Sequence, residues 1–170
     1  MAAPWKPGQS SIVWSRKYLQ DLFYLLPYHH LAFPTSLRKL ILLDVDLEFT
    51  IDMRRLFNHF TKFLPTEVLS CGLTQSPYYF GYFREFRKSH PDTHIGAAGR
   101  FQGLNTGVLL LDLERMRASP SYSHFSSVPG VSDLADKYQL GGTVGDQDWL
   151  TLLSFEKPEL INILPCEFNR

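Results

Sequence analysis

Two aspartates one residue apart, Asp44 and Asp46, close the segment Lys39-Leu40-Ile41-Leu42-Leu43-Asp44-Val45-Asp46. Their carboxylates are hard oxygen donors of the kind Mg²⁺ and Mn²⁺ take, and such metals complete their coordination with water and substrate phosphates. The aliphatic run before them reads as a strand buried on both faces, as in a parallel α/β sheet. Ligands of open α/β sheets bind beyond the carboxyl ends of strands, where both aspartates fall. The chemistry in view is a metal–diphosphate site. For a bare Asp-x-Asp the plain alternative is a solvated turn, and these residues alone leave both open.

Two further clusters set polar groups beside glycine. Gly103-Leu104-Asn105-Thr106-Gly107 reads as a polar turn feeding a second buried strand, residues 108–111. Its glycines let backbone approach a ligand, and Asn105 offers a donor and an acceptor. Gly141-Gly142-Thr143-Val144-Gly145-Asp146-Gln147-Asp148-Trp149 reads as a glycine-rich turn entering a helix through Leu150, Leu152 and Leu153. Asp146 serves equally well as a helix N-cap, whereas Gln147 has no such structural role. The aromatic stretch Tyr78, Tyr79, Phe80, Tyr82, Phe83 and Phe86, interleaved with Gly81, Arg84 and Glu85, is a stacking surface for a sugar or peptide, or else one face of a core helix.

The elements that must position these groups alternate between helix and strand. Tyr18, Leu19, Leu22, Phe23, Leu25 and Leu26 share a helical stripe that ends at Pro27, and His29 and His30 follow in a solvated loop. Thr50 or Asp52 caps a helix through Met53, Leu56, Phe57, Phe60 and Phe63, stopped by Pro65. Residues 68–73 and 161–164 read as strands. Residues 112–118 and 131–138 read as short helices, the first closed by Pro120, with a Ser/Pro-rich loop over 121–130. Residues 89–103 form a loop long enough for a lid or an insertion.

Composition agrees with a globular chain. Of 170 residues 44% are apolar and 14% aromatic, enough for a sizeable core. Lys+Arg and Asp+Glu both number 17, so no charge excess argues for nucleic acid or a membrane surface. No apolar run approaches the ~18 residues of a spanning helix, and residues 1–10 lack the apolar stretch of a signal peptide. Cys71 and Cys166 make no metal-spacing motif and are either free thiols or one disulfide.

The order of the clusters is more specific than any one of them. Asp-x-Asp after a strand, then Gly-x-Asn-Thr-Gly-Val-Leu-Leu-Leu-Asp-Leu, then Gly-Asp-Gln-Asp-Trp resembles the GT8 (glycogenin and galactosyltransferase) family of glycosyltransferases. The similarity runs from about Ser15 to Arg170. It includes Leu111-Asp112-Leu113-Glu114-Arg115-Met116-Arg117 with Ser119-Pro120, Leu134-Ala135-Asp136-Lys137-Tyr138, and Leu164-Pro165-Cys166-Glu167-Phe168-Asn169-Arg170.

The resemblance implies an α/β fold of the GT-A type, partial over 15–170 with 1–14 unassigned, lacking the N-terminal nucleotide-binding half and the C-terminal end. It implies Asp44 and Asp46 as metal ligands for Mn²⁺ (or Mg²⁺), and Val45 offering backbone to the donor. Asn105 would face the donor sugar, while Asp146 and Gln147 border its anomeric carbon. Tyr82, Phe83, Arg84 and Glu85 would meet the acceptor. The implied reaction is retaining transfer of xylose from UDP-xylose to a xylosyl-glucose O-linked to an EGF-like repeat, in the lumen of the endoplasmic reticulum by a membrane-anchored enzyme, with a homo-oligomer left open.

The family's third metal ligand is a histidine in a His-Gly pair, and this chain has no such pair. The resemblance therefore implies a shortened form with a weak metal site and uncovered apolar faces. Two other readings stand beside it. Asp44-Val45-Asp46 also resembles the start of a haloacid-dehalogenase-type phosphatase, which wants Thr or Val where Glu48 stands and leaves Asn105 and Gln147 without a role. The other is a non-catalytic remnant that binds a partner through the aromatic segment.

Overall fold

The computed structural model describes residues 25–50, 52–75, 77–97, 99–140 and 145–169. Strands β1 (Lys39–Leu43), β2 (Leu69–Leu73), β3 (Leu104–Asp112) and β4 (Ile161–Ile163) form one sheet in the order β1-β3-β2-β4. β3 pairs antiparallel with β1 and β2, while β2 and β4 run parallel. The α/β sheet is therefore mixed. Residues 108–111 are internal as expected, but residues 40–43 lie at the edge among the described residues. The reason is that an apolar run reports covered faces and says nothing about paired edges.

Both faces are indeed covered. On β3, Leu109 and Leu111 enter the larger core, while Val108 and Leu110 enter a smaller one with Leu56, Phe60, Phe63 and Leu164. β1 follows the same alternation, Leu40 and Leu42 to one side, Ile41 and Leu43 to the other. Burying each such side chain stabilises by ~1.5–3 kcal/mol, so a one-residue slip that exchanged the two sets would be strongly disfavoured.

The helices are α1 (His29–Ala32), α2 (Met53–Asn58), α3 (Tyr78–Tyr82), α4 (Arg84–Ser89), α5 (Leu113–Ala118), α6 (Pro120–Ser126), α7 (Val128–Lys137) and α8 (Asp146–Glu156). Asp52 caps α2, accepting the Arg54 N–H at 2.8 Å. The expected helix through Leu22 falls mostly outside the described residues. At its end Pro27 sits in a 3-10 turn, Leu26–Tyr28, that runs on into α1. The histidine pair is thus helical, and His30 is buried with its ring edge-on to Tyr122 at 5.2 Å.

The loop expected over 121–130 is also helical. Ser119 and Ser127 cap α6 and α7 by accepting the N–H groups of Tyr122 and Gly130. Pro120 and Pro129 lie in the first turns, where a missing N–H costs nothing. Proline here starts helices. The presumed polar turn 104–107 is the beginning of β3.

Arg117 on α5 holds the segment that leads into β1. Its guanidinium donates to the carbonyls of His30 (2.7 Å), Phe33 (3.1 Å), Pro34 (3.2 Å) and Leu37 (3.1 Å). A planar fork can serve four acceptors at once; an ammonium cannot. Arg117→Lys is therefore expected to lose about 2 kcal/mol in urea denaturation at unchanged slope. A midpoint equal to that of the parent chain would refute the clamp.

Candidate active site

Antiparallel pairing sets the carboxyl end of β1 against the amino end of β3. Leu43 lies opposite Val108, and the Asp44 N–H donates to the Gly107 carbonyl at 2.9 Å. Toward β2 the register jumps: Cys71 pairs with Leu109 but Gly72 pairs with Asn105. Residues 106–108 thus bulge away from β2. Gly107 lies in this bulge, where a Cβ would be 3.0 Å from Asn105 Oδ1, 3.3 Å from Asp44 Oδ2 and 3.8 Å from Asn169 Oδ1. Three polar side chains close on one glycine.

α8 brings the next groups. Gln147 Oε1 accepts the Thr106 N–H at 3.4 Å, and one turn on, Thr151 Oγ1 accepts the Leu104 N–H at 3.1 Å. Four residues of helix rise about 6 Å and two residues of strand about 6.6 Å, so the two rows match. Trp149, Leu150, Thr151, Leu152 and Leu153 are all buried, which fixes the helix against the sheet.

Gly145 occupies the N-cap of α8, and Asp148 performs the capping, its Oδ2 accepting the Gly145 N–H at 2.9 Å. Its other oxygen accepts the Tyr79 hydroxyl at 2.8 Å. Tyr79 is buried, and its hydroxyl also meets Gln147 and Thr151. Asp146 is free of the capping role and accepts the Gln147 N–H at 2.7 Å. Burial holds the Asp146 carboxyl above the usual carboxylate range, aided by the charges of Asp148 and Asp44 and opposed by the Gln147 N–H. Burial likewise raises Asp148, against the pull of its two donors.

The predicted residues therefore separate. Asp44, Asn105, Asp146 and Gln147 share one site. Asp46 and Val45 lie exposed in the turn just beyond. Neither Asp44 nor Asp46 forms an ion pair among the described residues, and no third His, Cys, Asp or Glu completes a metal-binding group there. Two such carboxylates are hard oxygen donors of the kind Mg²⁺ and Mn²⁺ take, and a metal held by them would need further ligands from outside the described residues. Glycines 141 and 142 lie outside the described residues.

The aromatic residues need correcting. Phe83 is fully buried and stacked on Tyr79 at 5.7 Å, so it cannot meet an acceptor. Tyr82 packs against the core, and exposed Glu85 is paired with Lys88 at 2.7 Å. Arg84 is exposed. The break between α3 and α4 turns these neighbours in different directions. Cys71 is buried and Cys166 exposed, both free, which closes the disulfide alternative.

Asn169 is the residue that sequence reasoning missed. It enters the site from the 3-10 turn Cys166–Phe168, and its only advance signal was its place in the closing Leu-Pro-Cys-Glu-Phe-Asn-Arg phrase.

The mixed sheet with its carboxylate–amide cluster at one strand edge has its counterparts among glycosyltransferases. Over 155 residues the chain is 39% identical to xyloside xylosyltransferase 1 of Mus musculus, covering 90% of this chain and 40% of that one. It is 33% identical over 138 residues to the xylosyl- and glucuronyltransferase LARGE2s of Danio rerio, covering 81% and 17% respectively. The crystal structure of mouse xyloside xylosyltransferase 1 in its apo form matches with a TM-score of 0.81, at 39% identity over 86% of this chain and 52% of that one.

No protein-family model matches the chain. The GT8 resemblance read from the sequence stands, and its xyloside xylosyltransferase relatives carry it; the phosphatase reading finds no support. The chain spans less than half the length of the mouse relative's sequence.

The raised Asp146 carboxyl has a stability consequence. Its contribution is fully present below the ordinary carboxylate range and is lost as pH rises through the raised value. Asp146→Asn should melt higher than the parent at pH 7, with the gap closing below about pH 4. A variant less stable than the parent at pH 7 would contradict this.

Proposed function

We propose that this protein is a retaining glycosyltransferase that moves xylose from UDP-xylose to a xylosyl-glucose carried on an EGF-like repeat, within the lumen of the secretory pathway. One observation carries the reading: Asp44 and Asn105, from separate parts of the sequence, close on Gly107, while Gln147 reaches the neighbouring Thr106 N–H and Asp146 lies near enough to feel the charge of Asp44. The relatives' shared name, xyloside xylosyltransferase, supports the choice of xylose as the sugar and a xyloside as the acceptor.

Asp44 and Asp46 would hold Mn²⁺ or Mg²⁺, which when bound neutralises charge on the departing diphosphate. The chain's own residues do the rest. Gly107 keeps the floor of the site low enough for backbone to approach the donor. Gln147 is pinned between the Thr106 N–H and the Tyr79 hydroxyl, so its amide orients a substrate without moving. An amide is also a poor nucleophile. Retention then calls for attack of the acceptor hydroxyl from the face the diphosphate leaves, with the leaving phosphate taking the proton.

The test is to assay the chain for UDP-xylose consumption with Mn²⁺ and a xylosyl-glucose acceptor, and to titrate Mn²⁺ with UDP by calorimetry. Asp44→Asn and Asp46→Asn should each weaken transfer by at least about 100-fold, with little change in melting temperature. Variants that bind Mn²⁺ and UDP as tightly as the parent would overturn the reading.

A further inference from the structure

We propose that Asn169 is a positioning residue that sets the orientation of the Asn105 amide, so that Asn105 meets the donor with its NH₂ group and not with its carbonyl. The inference rests on the site reading above and deepens it.

The argument starts from a group that cannot turn around. The backbone N–H of Gly107 is a donor, and it points at Asn105 at 2.9 Å, so the atom it meets must be the acceptor Oδ1. The Asn169 side chain meets that same oxygen at 2.8 Å and must therefore present its Nδ2. With two donors, both lone-pair directions of Asn105 Oδ1 are used. The Asn105 NH₂ is left on the other side of its amide plane, with no hydrogen bond to the protein among the described residues. Its two N–H groups suit an oxygen acceptor, such as a sugar hydroxyl oxygen or a phosphate oxygen.

The placement of Asn169 is built into the fold. Its side chain lies over Gly72, where a Cβ would be 3.1 Å from Nδ2 and 3.2 Å from the Asn169 Cβ. Gly72 is also the residue at which β2 changes register against β3. Only a bare backbone there lets a residue 64 positions away in sequence reach Asn105. The Gly107 N–H favours this orientation, and the Asn169 donor adds a second hydrogen bond that a flip of the amide would also lose.

The decisive variant is Asn169→Asp, which keeps the shape and replaces the donor by an acceptor. A carboxylate facing Asn105 Oδ1 is repulsive, so Asn105 must flip its amide and withdraw the acceptor from the Gly107 N–H. Two readouts follow. Hydrogen exchange of the Gly107 amide, followed by NMR on the chain without any donor, should accelerate in Asn169→Asp. With UDP-xylose and Mn²⁺, kcat/KM should fall by on the order of 100-fold, with unchanged melting temperature. In an Asn105→Ala background the same substitution should cost nothing further, because Asn169 acts through Asn105.

Unchanged exchange at Gly107, or equal losses in the presence and absence of Asn105, would overturn the proposal. A parent chain that neither binds nor consumes UDP-xylose would overturn the functional reading instead, while the exchange result still decides the orientation of Asn105.

Discussion

The antiparallel register of β1 on β3 is the constraint on which the rest depends. It places Asp44 against Gly107 and so brings the carboxyl end of one strand to the amino end of the other. What enforces this register is not the site but the alternation of Leu40, Ile41, Leu42 and Leu43 between two separate cores. A slip by one residue would move every apolar side chain to the wrong face and carry Asp44 past its partner. Hydrophobic packing thus fixes polar geometry at a distance of one residue.

The second support is a match of pitch. Gln147 and Thr151 follow one row of α8, Thr106 and Leu104 follow one face of β3, and the two rows advance at nearly the same rate. Tyr79 joins the helix to α3 through Asp148, so the group that caps α8 is also the one that anchors the aromatic segment. Of the two readings open for the aromatic segment, Tyr79, Tyr82, Phe83 and Phe86 take the core one. This arrangement sets Asp146 and Asp148 in surroundings that disfavour their charge. For Asp148 this is offset by the Gly145 N–H and the Tyr79 hydroxyl that it accepts, whereas Asp146 has the Gln147 N–H.

Local chemistry was legible in the sequence wherever it acts over a few residues. The strand entering Asp44, the Asp52 cap, the strand at residues 108–111 and the helix through Leu150 were all readable, because alternation, capping and apolar runs are short-range signals. The failures share a cause as well. Pro120 does close α5, but residues 121–130 read as a Ser/Pro-rich loop, because a proline in a helix's first turn looks like one in a loop without the Ser119 and Ser127 caps in view. His30 was read as solvated although α1 buries it, since only the packing of Tyr122 shows what covers that face.

By itself the sequence determined the candidate residues, Asp44, Asp46, Asn105, Asp146 and Gln147, and through their order the family to which the chain is similar. Tertiary structure decided which of these meet. Among the described residues it put 40–43 at the sheet edge, drew Phe83 into the core and away from any acceptor, and brought Asn169 over Gly72 to the amide of Asn105. The physical reason is range: residue type and short spacing are written along the chain, whereas the meeting of Asn169 with Asn105 depends on the β2–β3 register shift and on the return of β4 beside β2, contacts that no local pattern encodes.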